Sequence, residues 1–144
     1  MYRVLVPVDG DDTSARRQIE AIAELPDASN AVEVILYHVF EELDQAADGE
    51  GGAYLDDLYE DRDPPKSITT AESLLEEADI EYETVIEIGD PGENVVNTAK
   101  KRDVNGIIMG GRKRSPIGKV LFGSVTQAVI LSSNLPVTVV GQEP

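Results

Sequence analysis

The chain has 144 residues, which suits one domain and allows a buried core without disulfides or metals. Its 28 acidic and 12 basic residues give a formal net charge of −16, which disfavours general binding to nucleic acid or to an anionic membrane surface. There is no cysteine, so disulfides and thiolate metal sites are excluded. The sequence opens on a strand-like run without a signal peptide, and no apolar stretch approaches the roughly 20 residues of a membrane span. We therefore expect a soluble, cytoplasmic protein.

The acidic residues are spread over most of the chain, alongside few lysines and many small apolar residues. This pattern favours a halophilic protein from a cytoplasm very rich in salt. At molar salt the screening length falls to about 3 Å, so most of the repulsion between these charges would be cancelled. The alternative is an ordinary acidic cytosolic protein.

Five short apolar runs rich in β-branched residues predict strands at 4–8, 32–39, 82–88, 106–109 and 136–140. Four stretches with helical spacing lie between them and begin at capping residues, prolines or glycines. The predicted helix starts are Thr13-Ser14, Pro64-Pro65, Asp90-Pro91-Gly92 and Gly123-Ser124. The predicted inward residues are Ala15, Ile19, Ile22 and Ala23 in the first helix, which stops at Pro26; Ile68, Ala71, Leu74, Leu75 and Ala78 in the second; Val95, Val96 and Ala99 in the third; and Val125, Ala128 and Val129 in the fourth.

Strands that alternate with helices in this way predict a parallel sheet covered on both faces. One segment interrupts the pattern after the second strand, where residues 41–63 hold ten acids and the single base Arg62. We expect this segment to be a solvated, mobile insertion. A metal site built from its carboxylates is the alternative, but the acids lack the regular ligand spacing of a calcium-binding loop.

Basic residues are concentrated after the fourth strand, since residues 100–119 hold seven of the twelve. Ligands of open α/β sheets bind beyond the carboxyl ends of the strands, at the point where strand order reverses. If the first and fourth strands are neighbours there, Val8-Asp9 and Met109-Gly110 face one crevice. An anionic ligand is therefore expected at this edge.

The start of the last predicted helix is a candidate phosphate site. Gly110 and Gly123 would let a ligand approach the backbone closely. Ser124 and Val125 offer backbone N–H groups, and Ser124 its hydroxyl, at the positive end of the helix dipole. The alternative is a glycine-rich turn, capped by Ser124, whose neighbouring bases are simply hydrated.

Two better-known nucleotide motifs are absent. The stretch from Gly111 to Gly118-Lys119 has six residues between its glycines where a P-loop has four, and Val120 replaces the magnesium-binding hydroxyl. The first strand is followed by no dinucleotide-binding glycine pattern. The single histidine, His38, is interpreted as a structural residue, because no nearby serine or acid forms an evident triad with it.

Several motifs occur together in order and spacing: Val4-Leu5-Val6-Pro7-Val8-Asp9, Ile35-Leu36-Tyr37-His38-Val39, Gly89-Asp90-Pro91, Ile107-Ile108-Met109-Gly110, Gly123-Ser124-Val125-Thr126 and Pro136-Val137-Thr138-Val139-Val140. In these motifs the chain resembles the universal stress proteins over essentially its whole length. The resemblance implies one α/β domain over residues 1–144, of the adenine nucleotide alpha hydrolase-like class. It further implies an open five-stranded parallel sheet of order 3-2-1-4-5 with helices on both faces, and a homodimer formed through the C-terminal strands.

ATP-binding members of that family carry a signature of glycine, two residues, glycine, nine residues, and glycine followed by Ser or Thr. Gly110, Gly123 and Ser124 match it, but Lys113 stands in place of the middle glycine. A lysine there would obstruct close backbone contact with phosphate, especially at positive φ. Alternatively, Lys113 could supply a cation to the phosphates.

The resemblance also implies the residues of the site. Those implied around adenine and ribose are Pro7, Val8, Asp9, Val39 and Met109, and those implied around the phosphates are Gly110, Gly123, Ser124 and Val125, with Arg112 and Lys113 in the basic segment.

Three functions follow from these residues. The favoured one is a stress-response or regulatory protein that binds ATP or AMP, with Mg²⁺ carried by the nucleotide phosphates rather than by protein ligands. The alternative is a nucleotide-free dimeric adaptor of the same fold that acts through protein partners. An enzyme, such as a slow ATPase, is disfavoured because no activated nucleophile or base is evident.

Overall fold

The computed structural model describes residues 1–41, 63–111 and 123–141. The strands are β1 (Tyr2–Pro7), β2 (Val32–Phe40), β3 (Glu81–Ile88), β4 (Gly106–Gly110) and β5 (Val137–Val140), and the helices are α1 (Asp12–Ala23), α2 (Ala28–Ala31), α3 (Lys66–Glu77), α4 (Pro91–Lys101) and α5 (Ser124–Ser132). None of these helices is long and apolar enough to cross a membrane. Most of the predicted acidic insertion lies outside the described residues.

The five strands form one parallel sheet in the order β3-β2-β1-β4-β5. The strand order predicted from the family resemblance is therefore confirmed. All five predicted strands are present, with ends that differ by one or two residues. Strand β1 ends at Pro7 rather than Val8, although the Val8 N–H still donates to the Tyr37 carbonyl at 2.8 Å.

Side chains on the central strand alternate between two buried layers, because successive residues of a strand point to opposite faces. Val4 and Val6 pack with the inner faces of α1 and α3, whereas Leu5 packs with those of α4 and α5. A strand that is buried on both faces has a continuous run of apolar residues in its sequence, and residues 4–6 form such a run. The predicted covering of the sheet by helices on both faces is confirmed.

One helix start differs from the prediction. Asp11, not Thr13 or Ser14, caps α1: its carboxylate accepts from the N–H groups of Thr13 at 3.0 Å and Ser14 at 3.3 Å. Ser14 lies inside the helix and is buried. The last helix begins at Gly123-Ser124 as predicted: Gly123 is the cap residue and Ser124 is the first helical residue, so Ser124 is not the cap that the alternative interpretation required.

The inner face of α1 also differs from the prediction in two residues. Ala23, which was predicted to face the core, is exposed at the end of the helix. Gln18 is buried instead, between Ala15 and Ile22 on the same face. The predicted inner faces of α3 and α4 are found as expected, since Ile68, Ala71, Leu75, Val95, Val96 and Ala99 are all buried.

Candidate functional site

The carboxyl edge of the sheet contains the point at which strand order reverses. From β1 the chain passes through α1 to β2 on one side, while β4 lies on the other side of β1. Helix α1 covers one face of the sheet and α4 and α5 cover the other. At such a reversal the loops that follow the two neighbouring strands run to opposite faces of the sheet. A crevice is left between the strand tips, in which a ligand can bind.

The predicted residues of the adenine and ribose site gather at this edge. Pro7 ends β1, Val8 follows it as a buried residue, and Asp9 is exposed. Met109 is buried near the end of β4 and half-buried Val39 packs against the same core cluster. Val8 packs in the layer of α1 and α3, whereas Met109 and Val39 pack in the opposite layer, so apolar side chains lie on both faces of the sheet near the exposed carboxylate of Asp9.

The start of α5 is tied to the tip of β4, so the predicted phosphate residues belong to the same edge. The Thr126 hydroxyl donates to the Gly110 carbonyl at 3.2 Å, and the Gly111 N–H donates to the Val140 carbonyl at 2.7 Å. The first contact places the first turn of α5 beside the tip of β4, and the second continues the pairing of β4 with β5. Arg112 and Lys113, the remaining predicted site residues, lie outside the described residues.

Backbone donors are available at this helix start. The N–H of Gln127 is the first to bond within α5, to the Gly123 carbonyl at 3.0 Å. The preceding N–H groups, of Ser124, Val125 and Thr126, have no acceptor within the helix, which is the rule for the first turn. No acidic side chain occurs in residues 123–141 to occupy these donors or to repel an anion. A phosphate at this helix start remains a prediction from the sequence.

Asp9 takes part in the turn that leads into α1. Its Oδ1 accepts from the Asp11 N–H at 2.8 Å, which holds the carboxylate beside the strand tip. The Asp9 carbonyl accepts from the hydroxyl of Ser67 in the first turn of α3. This loop is thus oriented by side-chain hydrogen bonds at both its carboxylate and its backbone.

His38 contacts the same tip through its ring. Its Nδ1 lies 2.6 Å from the Val8 carbonyl, which can only accept, so Nδ1 carries the proton. The ring also meets Phe40 edge-on, with centroids 4.8 Å apart. These contacts support the structural role predicted for His38.

Gly110 has a packing reason to be glycine besides the one proposed from the sequence. A Cβ at position 110 would lie 2.1 Å from the Ser14 Oγ on α1. The space beside Gly110 is therefore occupied by helix packing on that side, and this requirement for glycine does not depend on a ligand. At Gly10, in the loop after β1, no heavy atom of the described residues lies within 4 Å of the corresponding position.

Two ionisable groups near the edge have displaced pKa values. Burial, reinforced by a hydrogen bond to the Glu87 carboxylate, raises the pKa of Tyr37 to about 12. Its hydroxyl also accepts from the buried Thr98 hydroxyl at 3.0 Å, so this group is a neutral structural donor. A hydrogen bond from Thr70 lowers the pKa of Asp12 below its ordinary value of 3.8.

The sequence interpretation missed the polar side chains that reach this edge from the helices, namely Ser14, Gln18 and Ser67. Gln18 carried a signal, because it lies three residues after Ala15 and four before Ile22 and so falls on the buried face of α1. A polar residue at such a position needs hydrogen-bond partners. Its partners, Pro7 and Ile108, could not be read from the pattern.

Comparison with known proteins gives consistent matches. The sequence model of the Universal stress protein family matches residues 1–141. Universal stress protein MJ0577 of Methanocaldococcus jannaschii is 29% identical over 160 residues, covering 97% of this chain and 95% of that protein. The solved structure of a universal stress protein from Archaeoglobus fulgidus is 27% identical, with a TM-score of 0.72 over 97% of this chain and 98% of that chain.

A further Archaeoglobus fulgidus structure contains a universal stress protein in complex with dAMP. It is 23% identical to this chain, with a TM-score of 0.58 over 97% of this chain and 98% of that chain. At this identity the likeness is one of fold.

Proposed function

This chain belongs to the universal stress protein family, and from that premise we propose that it binds an adenine nucleotide at the tips of β1 and β4 as part of a stress response. The observation that carries the proposal is the attachment of α5 to β4 through Thr126 and Gly110. It presents first-turn N–H groups, which have no acceptor within the helix, at the edge that carries the tips of β1 and β4, with no acidic side chain in residues 123–141.

We assign the two halves of the nucleotide to different parts of the edge. Val8 and Met109, with Pro7 and Val39 beside them, form the apolar base for adenine and ribose, and Asp9 supplies an acceptor for a sugar hydroxyl. Gly123, Ser124 and Val125 receive the phosphates. The Archaeoglobus fulgidus complex with dAMP supports the proposal at the level of the fold, which is compatible with an adenine mononucleotide.

The ligand we propose is ATP or AMP, with Mg²⁺ brought by the phosphates of ATP. Among the described residues no group of three or more carboxylates and histidines is placed to hold a metal ion. Arg112 and Lys113 extend the phosphate site in this proposal, on the evidence of the sequence alone. Titration calorimetry of the whole protein with ATP and AMP, in molar KCl with Mg²⁺, tests it directly: absence of binding by both nucleotides would refute it.

A second function has one specific observation in its favour. Lys113 replaces the middle glycine of the family's ATP signature, and loss of that glycine would suit an adaptor that keeps the fold without the ligand. A nucleotide-free protein that still captures a partner would establish the adaptor. We do not propose an enzyme.

We also propose that the protein is a homodimer joined through β5. This strand is at the edge of the sheet, and the helix that precedes it, α5, carries Ile130 and Leu131 with 41% and 84% of their surfaces exposed. Residues 120–142 contain no charged side chain, in a chain whose charged content is 28%. An open apolar edge without charges is an aggregation hazard, which pairing with a second copy removes.

The net negative charge is the basis for a proposal on cellular location and on binding partners. We propose a cytoplasmic protein that does not bind nucleic acid or membranes, because a net charge of −16 repels both. The same charge is the basis for proposing a halophilic origin, in which molar salt screens the repulsion between acids.

A further inference from the structure

Helix α1 carries one fully buried amide, and it bridges two strands. Gln18 is 1% exposed, and its Nε2 donates to the Pro7 carbonyl and to the Ile108 carbonyl, both at 2.9 Å. Carbonyl oxygens only accept, so the side-chain nitrogen must face them, and each of its two hydrogens has one partner. A single side chain thus joins the carboxyl ends of β1 and β4.

The bridge lies where backbone pairing between these strands ends. In the described residues, β1 and β4 pair at Val4–Gly106 and Leu5–Ile107, whereas β1 pairs with β2 as far as Pro7 and β4 pairs with β5 as far as Gly110. The strands therefore separate towards the reversal point. There, Gln18 donates hydrogen bonds to the Pro7 carbonyl of β1 and the Ile108 carbonyl of β4, beyond the last residues at which these two strands pair.

We propose that Gln18 is a positioning residue that sets the separation of the β1 and β4 tips and so the shape of the adenosine site between them. The proposal rests on the proposed nucleotide binding. The two carbonyls it holds belong to Pro7, which precedes Val8, and to Ile108, which precedes Met109. Any change in the distance between the anchored carbonyls moves these apolar residues relative to each other.

A purely structural amide would act differently. It would contribute only to the free energy of unfolding. Removing it would therefore affect nucleotide affinity no more than any other substitution that destabilises the protein equally. The buried Thr98 hydroxyl provides that comparison, because it bonds to Tyr37 and Glu87 in the opposite layer. Thr98→Val removes a buried hydrogen bond without touching β1 or β4.

The test compares Gln18→Leu, Gln18→Met and Thr98→Val in the full-length protein. Both Gln18 variants keep most of the buried volume but donate no hydrogen bond. AMP affinity should fall about tenfold in the Gln18 variants and change less than about twofold in Thr98→Val, when the three are compared at temperatures equally far below their Tm values. Equal affinity losses in all three, or none in the Gln18 variants, would overturn the proposal.

Hydrogen exchange without nucleotide separates this proposal from the proposed function. Amides of residues 8–10 and 109–111 should exchange faster in the Gln18 variants than in Thr98→Val, because the strand tips are no longer joined. If wild type binds no nucleotide but this difference is seen, the proposed function fails and the role of Gln18 at the tips stands. If exchange at the tips is unchanged, or if neither Gln18 variant folds, the residue serves the fold in general and the proposal is wrong.

Discussion

The Ser14 hydroxyl occupies the space that a side chain at position 110 would need. A Cβ there would lie 2.1 Å from the Ser14 Oγ, whereas the next atoms, the Ser14 Cβ and the Gln18 Oε1, would be at an ordinary 3.5 Å. The first glycine of the nucleotide signature is therefore coupled to a serine on α1, which faces it from the buried side of the sheet.

This coupling predicts a rescue. Gly110→Ala should lower the free energy of unfolding by about 1–3 kcal/mol, the usual cost of overpacking. Adding Ser14→Ala removes the clashing oxygen and should recover most of that loss. Chemical denaturation of the two single variants and the double variant measures the coupling as a double-mutant cycle. Gly10→Ala is the control, because in the part of the chain that the structure describes no heavy atom lies within 4 Å of its Cβ. Additive effects of the two substitutions would contradict the steric explanation.

Features of this edge that depend on residues close together in the sequence could be predicted, whereas contacts between residues far apart in the sequence could not. The positions of the strands were predicted from local apolar runs. Their order in the sheet was predicted from the resemblance to the family, whose motifs occur in the same order along this chain. The contacts that shape the site are different in kind, since Gln18 and Ile108 are 90 residues apart and Ser67 and Asp9 are 58 apart. Periodicity shows that Gln18 is buried, but only the folded sheet places it against two strand tips.

The cap of α1 was mispredicted for a local reason. Four successive residues, from Asp11 to Ser14, have side chains that cap helices well. The choice among them depends on where the preceding loop ends. The Asp9 carboxylate closes a turn onto the Asp11 N–H, which leaves Asp11 with extended dihedral angles and makes it the cap.

Tyr37 predicts an alkaline loss of stability. Its pKa is about 12 in the folded protein against an ordinary 10.0, with burial as the main cause. The unfolded chain therefore loses the phenolic proton at lower pH than the folded one. The resulting stabilisation is complete below pH 10 and is lost as the pH rises to about 12.

Tyr37→Phe should remove this contribution, so the free energy of unfolding should fall less between pH 10 and 12 than in wild type, by about 2 kcal/mol. Thr98 keeps its bond to Glu87 in the variant, which limits other disturbance. Tyr2→Phe, at an exposed position, should retain the wild-type profile. Denaturation at a series of alkaline pH values makes the comparison, and a Tyr37→Phe profile that follows wild type would rule out this explanation.

The proposed dimer depends on β5 and on the exposed apolar side chains of the preceding helix, α5. Leu131→Asp places a charge on its most exposed apolar side chain and should convert the dimer to monomer at micromolar concentration. Ile86→Asp adds the same charge on β3, the opposite edge strand, where Ile86 is 38% exposed, and should leave the dimer intact. Sedimentation velocity distinguishes the two. If the wild-type protein itself sediments as a monomer at micromolar concentration, the proposed dimer is wrong.

The last prediction concerns the two ends of the nucleotide. Gly123 has φ −69° and ψ 165°, an extended conformation that any residue adopts, so Gly123→Val should fold normally. Its added side chain would fill the space proposed for the phosphates and should abolish binding of ATP and AMP. Asp9→Ala removes one polar contact to the sugar and should weaken binding by about 1–3 kcal/mol. Part of that loss comes from the turn that Asp9 closes onto Asp11.

Titration calorimetry in molar KCl with Mg²⁺ measures both variants against wild type, and Gly10→Ala serves as a matched control in the loop after Asp9. The control should bind like wild type, because its new methyl group meets no heavy atom within 4 Å in residues 1–41, 63–111 and 123–141. If Gly123→Val retains full affinity, the phosphates do not lie at the start of α5. If Asp9→Ala binds as tightly as wild type while Gly123→Val does not bind, then the phosphate half of the assignment stands and the sugar contact must come from another residue of the edge.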